Sequence, residues 1–462
     1  MKVALALVAA LVACGSDRGD PAPPDAGFPA FEGEPQRPGD PVKGYDYLVN
    51  GGYITCGIPK SAYDQVASPA DPTQIPAGRT GDNATLPYNL SVATSAEGVK
   101  VVSANCLQCH ASYINNELVV GLGAADADFT GDQAMLVNLA GNLVTNPAER
   151  PAYERFRDRM RAIAPYTRLL TVGPNPADNL TAVLMSHRDP ETLAWSATPR
   201  LPLPPAIVAP VDVPPWWRMA KKHSMFYTGG GRGDHARIMM TASLLCSETV
   251  AEAQAIDAAF VDVRAWISSM PVPRYPWAID QARAAEGKVV FDEVCARCHG
   301  TYGEGGSYPN LVIPIDEIGT DATLAAGASQ FAPEYVQWFK DSFWGETSRL
   351  EPQEGYVPPP LDGIWATAPF FHNGSVPTLE AVLDTTKRPM HWSRTFDSTD
   401  YDQAAVGWKF TATGPQASEG NAQKRARIYD TTKLGYGNGG HDFGDVLLPE
   451  ERTAVLEYLK TL

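Results

Sequence analysis

Apolar residues recur at helical spacing in two stretches toward the C-terminal end of this chain. In AIDQARAAEGKVVFDEVCARCHG, Ile279, Ala282, Ala285, Val289 and Val290 fall roughly on one face, which predicts a helix running up to Cys295. In LPEERTAVLEYLKTL, Pro449 suits a first helical position, and Val455, Leu459 and Leu462 make an apolar stripe, so a second helix is expected to close the chain. Two-residue alternation is scarce elsewhere, so the fold is expected to be mostly α. The opening pattern differs. MKVALALVAALVACGS begins with Lys2 and continues as an apolar run too short to span a bilayer, as an export signal does. Proline breaks the pattern twice. ATPRLPLPPAIVAPVDVPPWW, Ala197 to Trp217, reads as an extended connection inside a domain, and MPVPRYPW, Met270 to Trp277, as the boundary between two.

Composition narrows the class. With 462 residues, 44% of them apolar, and 40 glycines and 40 prolines, the chain reads as globular and loop-rich rather than disordered or membrane-spanning. A formal net charge of −16 excludes the basic footprint that nucleic-acid binding needs. Leu11-Val12-Ala13-Cys14 resembles the lipobox of bacterial lipoproteins, in which the cysteine is lipidated and becomes the new N-terminus. The alternative is an ordinary signal peptide cleaved nearby, with Cys14 incidental. The expected organisation is a signal over 1–14, a proline- and acid-rich tether over 15–39, an N-terminal domain over 40–272 and a C-terminal one over 278–462. The mature chain is then exported and lipid-anchored in the cell envelope, facing the periplasm or the cell surface.

Four of the seven cysteines form two pairs, each followed by histidine: CLQCH, Cys106 to His110, and CARCH, Cys295 to His299. C-x-x-C-H is the attachment signature of haem c. Cysteines three apart project from one side of a helical turn, so both sulfurs reach the two vinyl groups of one porphyrin. The next residue then offers its imidazole to the iron. At this composition roughly 0.002 copies are expected by chance, so two copies are not an accident. A four-cysteine zinc site would leave both histidines unexplained, and neither flank offers the βαβ setting of a thioredoxin-like pair. Two covalent haems are therefore expected, with Cys106, Cys109, Cys295 and Cys298 as thioether sulfurs and His110 and His299 as proximal ligands. Calcium is a further candidate that the sequence leaves open. So is the state of Cys56 and Cys246, either a disulfide suited to an oxidising compartment or two separate thiols.

The second axial ligand decides what each iron does. His441 lies in the glycine-rich loop GYGNGGHDFG, eight residues before Pro449, and is the first choice for the second haem; His372 and the Met390-His391 pair lie further from the closing helix. A solvated loop histidine is the plain alternative, and Met390 the rival ligand. No histidine follows His110 until His187. In KKHSMFYTGGGRGDHARIMM, His223 and His235 are flanked by Lys221, Lys222, Arg232 and Arg237, candidates to neutralise haem carboxylates. Phe226 and Tyr227, with Met239 and Met240, are candidate pocket residues; an ordinary helix–loop–helix with a basic face fits the same letters.

Helix, C-x-x-C-H, glycine loop and closing helix resemble the class I cytochrome c fold, lengthened by insertions. Two such motifs in one chain, with WWRMAKKHSMFYTGGGRGDHARIMM, PPPLDGIWATAPFFHNGSVPTLEAVL and GNGGHDFGDVLLPEERTAVLEYLKTL, resemble the bacterial dihaem cytochrome c peroxidase superfamily, and within it the rubber oxygenase branch. The resemblance implies two cytochrome c-like haem domains with long loops, His441 as distal ligand of the second haem, and a first haem open to dioxygen among aromatic residues. It implies an oxidoreductase acting on a small molecule or a polymer. A peroxidase fed by a periplasmic electron-transfer protein and a non-enzymatic, membrane-tethered electron-transfer cytochrome are the alternatives.

Overall fold

The computed structural model describes residues 27–462, so the signal 1–14, Cys14 and the first part of the tether lie outside the described residues. The fold is not mostly α. Helix accounts for 39% and strand for 12%, the strands falling in several small antiparallel sheets, so this is a mixed α/β molecule. The expectation missed short strands rich in β-branched residues. Lys100–Ala104 lies between Ile58–Pro59 and Leu90–Thr94, with Val102 opposite both Ile58 and Val92. Ala111–Ile114 and Glu117–Val120 form a hairpin whose turn is Asn115-Asn116, at φ 50° and 65°. Asparagine tolerates that left-handed geometry, which matches the twist of the strands.

The two predicted helices are present. Gln281–Val294 is capped by Asp280, whose carboxylate accepts from the Arg283 N–H at 3.1 Å. Its buried face is Ala284, Gly287 and Phe291, whereas Val289 is exposed and Ala282 and Ala285 face outward. Gly287 explains the rotation: an added Cβ there would collide with the Ala454 carbonyl, so glycine lets the closing helix Pro449–Leu459 come close. That helix starts at Pro449 as expected, with the Glu451 carboxylate taking the Leu448 N–H at 2.9 Å.

Two main cores result, and each draws on both sides of residues 272–278. The first gathers Leu48, Tyr53, Leu107, Leu184 and Phe260, together with Trp338, Phe339 and Trp344 from and just after the helix Thr323–Asp341. The second gathers Phe291, Trp365, Val455 and Leu459, together with Ile114, Leu122 and Trp217 from the other half. Cys56 and Cys246 form a disulfide between residues 190 apart, buried in the first core. The described part of the tether is packed down: Val312 N–H donates to the Pro29 carbonyl at 2.8 Å, and Arg37 grips both oxygens of Asp257 at 2.8 and 2.6 Å.

Candidate haem sites

The helix Gln281–Val294 leads through Cys295 into the short helix Ala296–His299, which ends at Gly300 with φ 78°. Cys295, Cys298 and His299 all face a cavity whose open space, mouth included, is about 1470 Å³, and His441 faces the same cavity. His299 donates its Nδ1 proton to the Pro359 carbonyl at 2.9 Å, which fixes the tautomer and leaves Nε2 free as a ligand. The ring of His441 stands opposite, centroid to centroid 6.1 Å. Two imidazoles each about 2 Å from one metal through the facing nitrogens need about 6 Å between centroids. Burial pushes the His441 imidazole down to about 3, with His299 nearby adding to the effect. Burial lowers His299 as well, so both rings favour the neutral form that ligates a metal. Burial also pushes the Cys295 thiol up to about 12 and raises Cys298. Two inward thiols and two facing neutral imidazoles around one apolar-walled space fit a haem c.

The loop that carries His441 is rich in glycine yet held firmly. His441 sits at φ 47°, and its N–H donates to the Ile318 carbonyl at 2.7 Å. Gly440 has no alternative, because its φ is 68° and a Cβ would collide with the Gly319 backbone. Arg388 does the rest. Its guanidinium donates to the carbonyls of Asn438 at 2.9 Å, Gly440 at 2.6 Å and His441 at 2.9 Å, while Ala381 and Val382 hold its other side. Sequence reasoning passed over Arg388, since nothing in TTKRPM connects it to a loop fifty residues on.

The rival residues have other places. Met390 is 63% exposed and does not face the cavity. His391 pairs with Asp430 at 3.4 Å. His372 faces the cavity but stacks flat on Tyr356, centroids 4.1 Å apart.

The N-terminal motif follows the strand Lys100–Ala104 directly, in a 3-10 turn over Cys106–Gln108 where the Asn105 side chain caps the Leu107 N–H at 2.9 Å. Burial pushes Cys106 up to about 12 and Cys109 up to about 11, and the Asn175 amide lies 2.8 Å from the Cys109 sulfur. Burial pushes His110 down to about 4; the Pro214 carbonyl pulls the other way without closing a hydrogen bond to Nδ1. The His110 ring stacks on Trp216 at 4.6 Å and 21°. Among the described residues no second imidazole stands opposite it. His187 stacks on Trp195 and bonds the Ser196 carbonyl, His223 bonds the Phe31 carbonyl at 2.7 Å, and His235 is buried under the Asp234 cap. The part-buried thiols and the His110 imidazole thus lie together, but no carbonyl fixes the His110 Nδ1 as Pro359 fixes that of His299. Phe226 is 40% exposed at φ 69°, and Tyr227 faces the C-terminal cavity, where its hydroxyl donates to Asp212 at 2.8 Å.

Residues 355–393, the segment holding Pro359, His372 and Arg388, match the family described as RoxA-like, cytochrome c-like. In that segment the chain is related to the RoxA-like cytochromes c, and a cytochrome c-like domain implies haem c. That likeness suggests a haem cytochrome related to rubber oxygenase. Two relatives are uncharacterized proteins of Sinorhizobium fredii (strain NBRC 101917 / NGR234). The chain is 31% identical to y4iM over 204 residues, covering 38% of this chain and 45% of the relative. It is 29% identical to y4iJ over 258 residues, covering 41% of each. The match thus spans less than half the length of either relative.

Proposed function

We propose that this chain is an exported dihaem c-type cytochrome and an oxidoreductase, in which dioxygen is the substrate met at the N-terminal haem and electrons pass through the C-terminal one. The observation that carries the reading is the asymmetry of the two motifs: His299 faces His441 at 6.1 Å, whereas His110 faces no second imidazole among the described residues. Bound haem supplies a redox-active iron, open to dioxygen or peroxide only where an axial position is unfilled. The chain's residues do the rest. His299 and His441 would hold the iron of the C-terminal haem, Pro359 orients His299, and Trp216 holds the ring plane of His110. The substrate class that goes with the rubber oxygenase relation is an unsaturated small molecule or polymer; a lipid anchor at Cys14 and a periplasmic electron-transfer partner complete the proposal.

The test is a haem count by mass on the full chain, followed by electron paramagnetic resonance of wild type and His441→Ala. Two haems are expected, one low-spin and one high-spin, with the low-spin signal lost in the variant. Two low-spin haems that never bind carbon monoxide would leave only an electron-transfer cytochrome. A high-valent species on mixing with peroxide, with no turnover of dioxygen, would make it a peroxidase.

A further inference from the structure

The basic residues between 216 and 240 do not all have the same standing. Lys221 pairs with Asp362 at 2.8 Å, Arg232 with Glu34 and Glu351, and Arg237 with Asp257 and Glu346. Arg218 differs. It is 5% exposed, it faces the C-terminal cavity, and no carboxylate lies within ion-pair distance of it among the described residues. Nε donates to the Asp362 carbonyl at 3.0 Å and Nη2 to the Thr367 hydroxyl at 3.3 Å, while Nη1 has no acceptor among the described residues. Asp362 and Asp212 act on Arg218 through space, but one Asp362 oxygen is taken by Lys221, and Asp212, bonded by the Tyr227 hydroxyl, is pushed up to about 7 by burial. A buried guanidinium that makes no ion pair is costly, so one that faces a cavity marks a place suited to an anion. Arginine's planar fork suits a carboxylate in particular.

We infer that Arg218 receives a carboxylate of the haem held in the C-terminal cavity, and so positions that haem and raises its potential. The inference rests on the reading that the cavity holds haem c. Arg218 is a positioning residue: it touches neither thioether sulfur nor axial ligand. The fixed positive charge favours the reduced, less positive iron, and the two neutral acceptors on Asp362 and Thr367 hold the guanidinium in place.

The experiment uses the full chain with haem attached, as wild type, Arg218→Gln and Arg218→Lys. Spectroelectrochemistry gives the midpoint potential of the low-spin haem, and redox-difference infrared spectra report its carboxylate. Arg218→Gln is expected to shift the reduction equilibrium about tenfold toward the oxidised form, about 59 mV for one electron, and to move the carboxylate band. Arg218→Lys keeps the charge but not the fork, so the potential is expected to recover while the band stays moved. Potential and band both unchanged in Arg218→Gln, with haem and low-spin signal intact, would overturn the assignment. If the Gln variant yields no soluble chain, the Lys variant decides alone: an unmoved band refutes it. Wild-type chain with no haem on Cys295 and Cys298 would sink the underlying reading, and the inference with it.

Discussion

Replacing Arg388 with alanine tests how the distal loop is held. The substitution removes three hydrogen bonds to the carbonyls of Asn438, Gly440 and His441 and leaves the His441 N–H bond to Ile318. Bonds from a charged donor are worth about 1.5–3 kcal/mol each, but these carbonyls regain water when the loop lifts, so about 1 kcal/mol apiece is the safer figure. The sum, about 3 kcal/mol, raises the population with the loop lifted by about 100-fold. An added ligand that competes with His441, such as imidazole, binds only the lifted form, so its apparent Kd is expected to fall by the same factor. Optical titration of the full chain at several imidazole concentrations measures this directly. A variant with wild-type Kd and an undiminished low-spin signal would show that Arg388 does not hold the loop, and that backbone geometry at Gly440 and His441 suffices.

Two further outcomes follow from groups away from the haem sites. Cys246→Ser opens a link between residues 190 apart and is expected to cost about 5 kcal/mol in the chain-entropy account, read as a lower midpoint in urea. His235, pushed down to about 4 chiefly by burial, resists a proton that the unfolded chain accepts near 6.5. Its contribution is therefore constant above that value and is lost as pH falls from about 6.5 to about 4, a change of about 3 kcal/mol. His235→Gln should flatten the stability profile in that window, and an unaltered slope would show that His235 is protonated in the folded chain.

The chemistry was more legible than the architecture. C-x-x-C-H carries its own geometry, so Cys295, Cys298 and His299 could be placed on one turn from spacing alone. His441 could be proposed from its distance to Pro449. What could not be read was anything that depends on a partner remote in the chain. Arg388 and Arg218 are ordinary letters until a loop and a cavity arrive beside them. The helix Gln281–Val294 was legible in extent, but its buried face was not, because Gly287 rather than a large apolar residue marks the contact with Ala454. The strands beside the first motif were missed because they are short, and Leu90–Thr94 and Lys100–Ala104 bury successive residues on both faces. ASYINNELVV carries a hairpin turn at Asn115-Asn116 that a search for alternation alone passes over.

The sharing of elements between the two cores has a consequence for the order in which this molecule can be made. The first core includes Trp338, Phe339 and Trp344, so its interior stays unfinished until a chain of more than 340 residues has emerged. Cys106 packs against that interior and is made more than 200 residues earlier. A chain made from its N-terminus therefore presents both C-x-x-C-H motifs, at 106–110 and 295–299, before either core is complete. The late arrival of residues 335–344 then completes the core against which Cys106 packs, after both C-x-x-C-H motifs have been made.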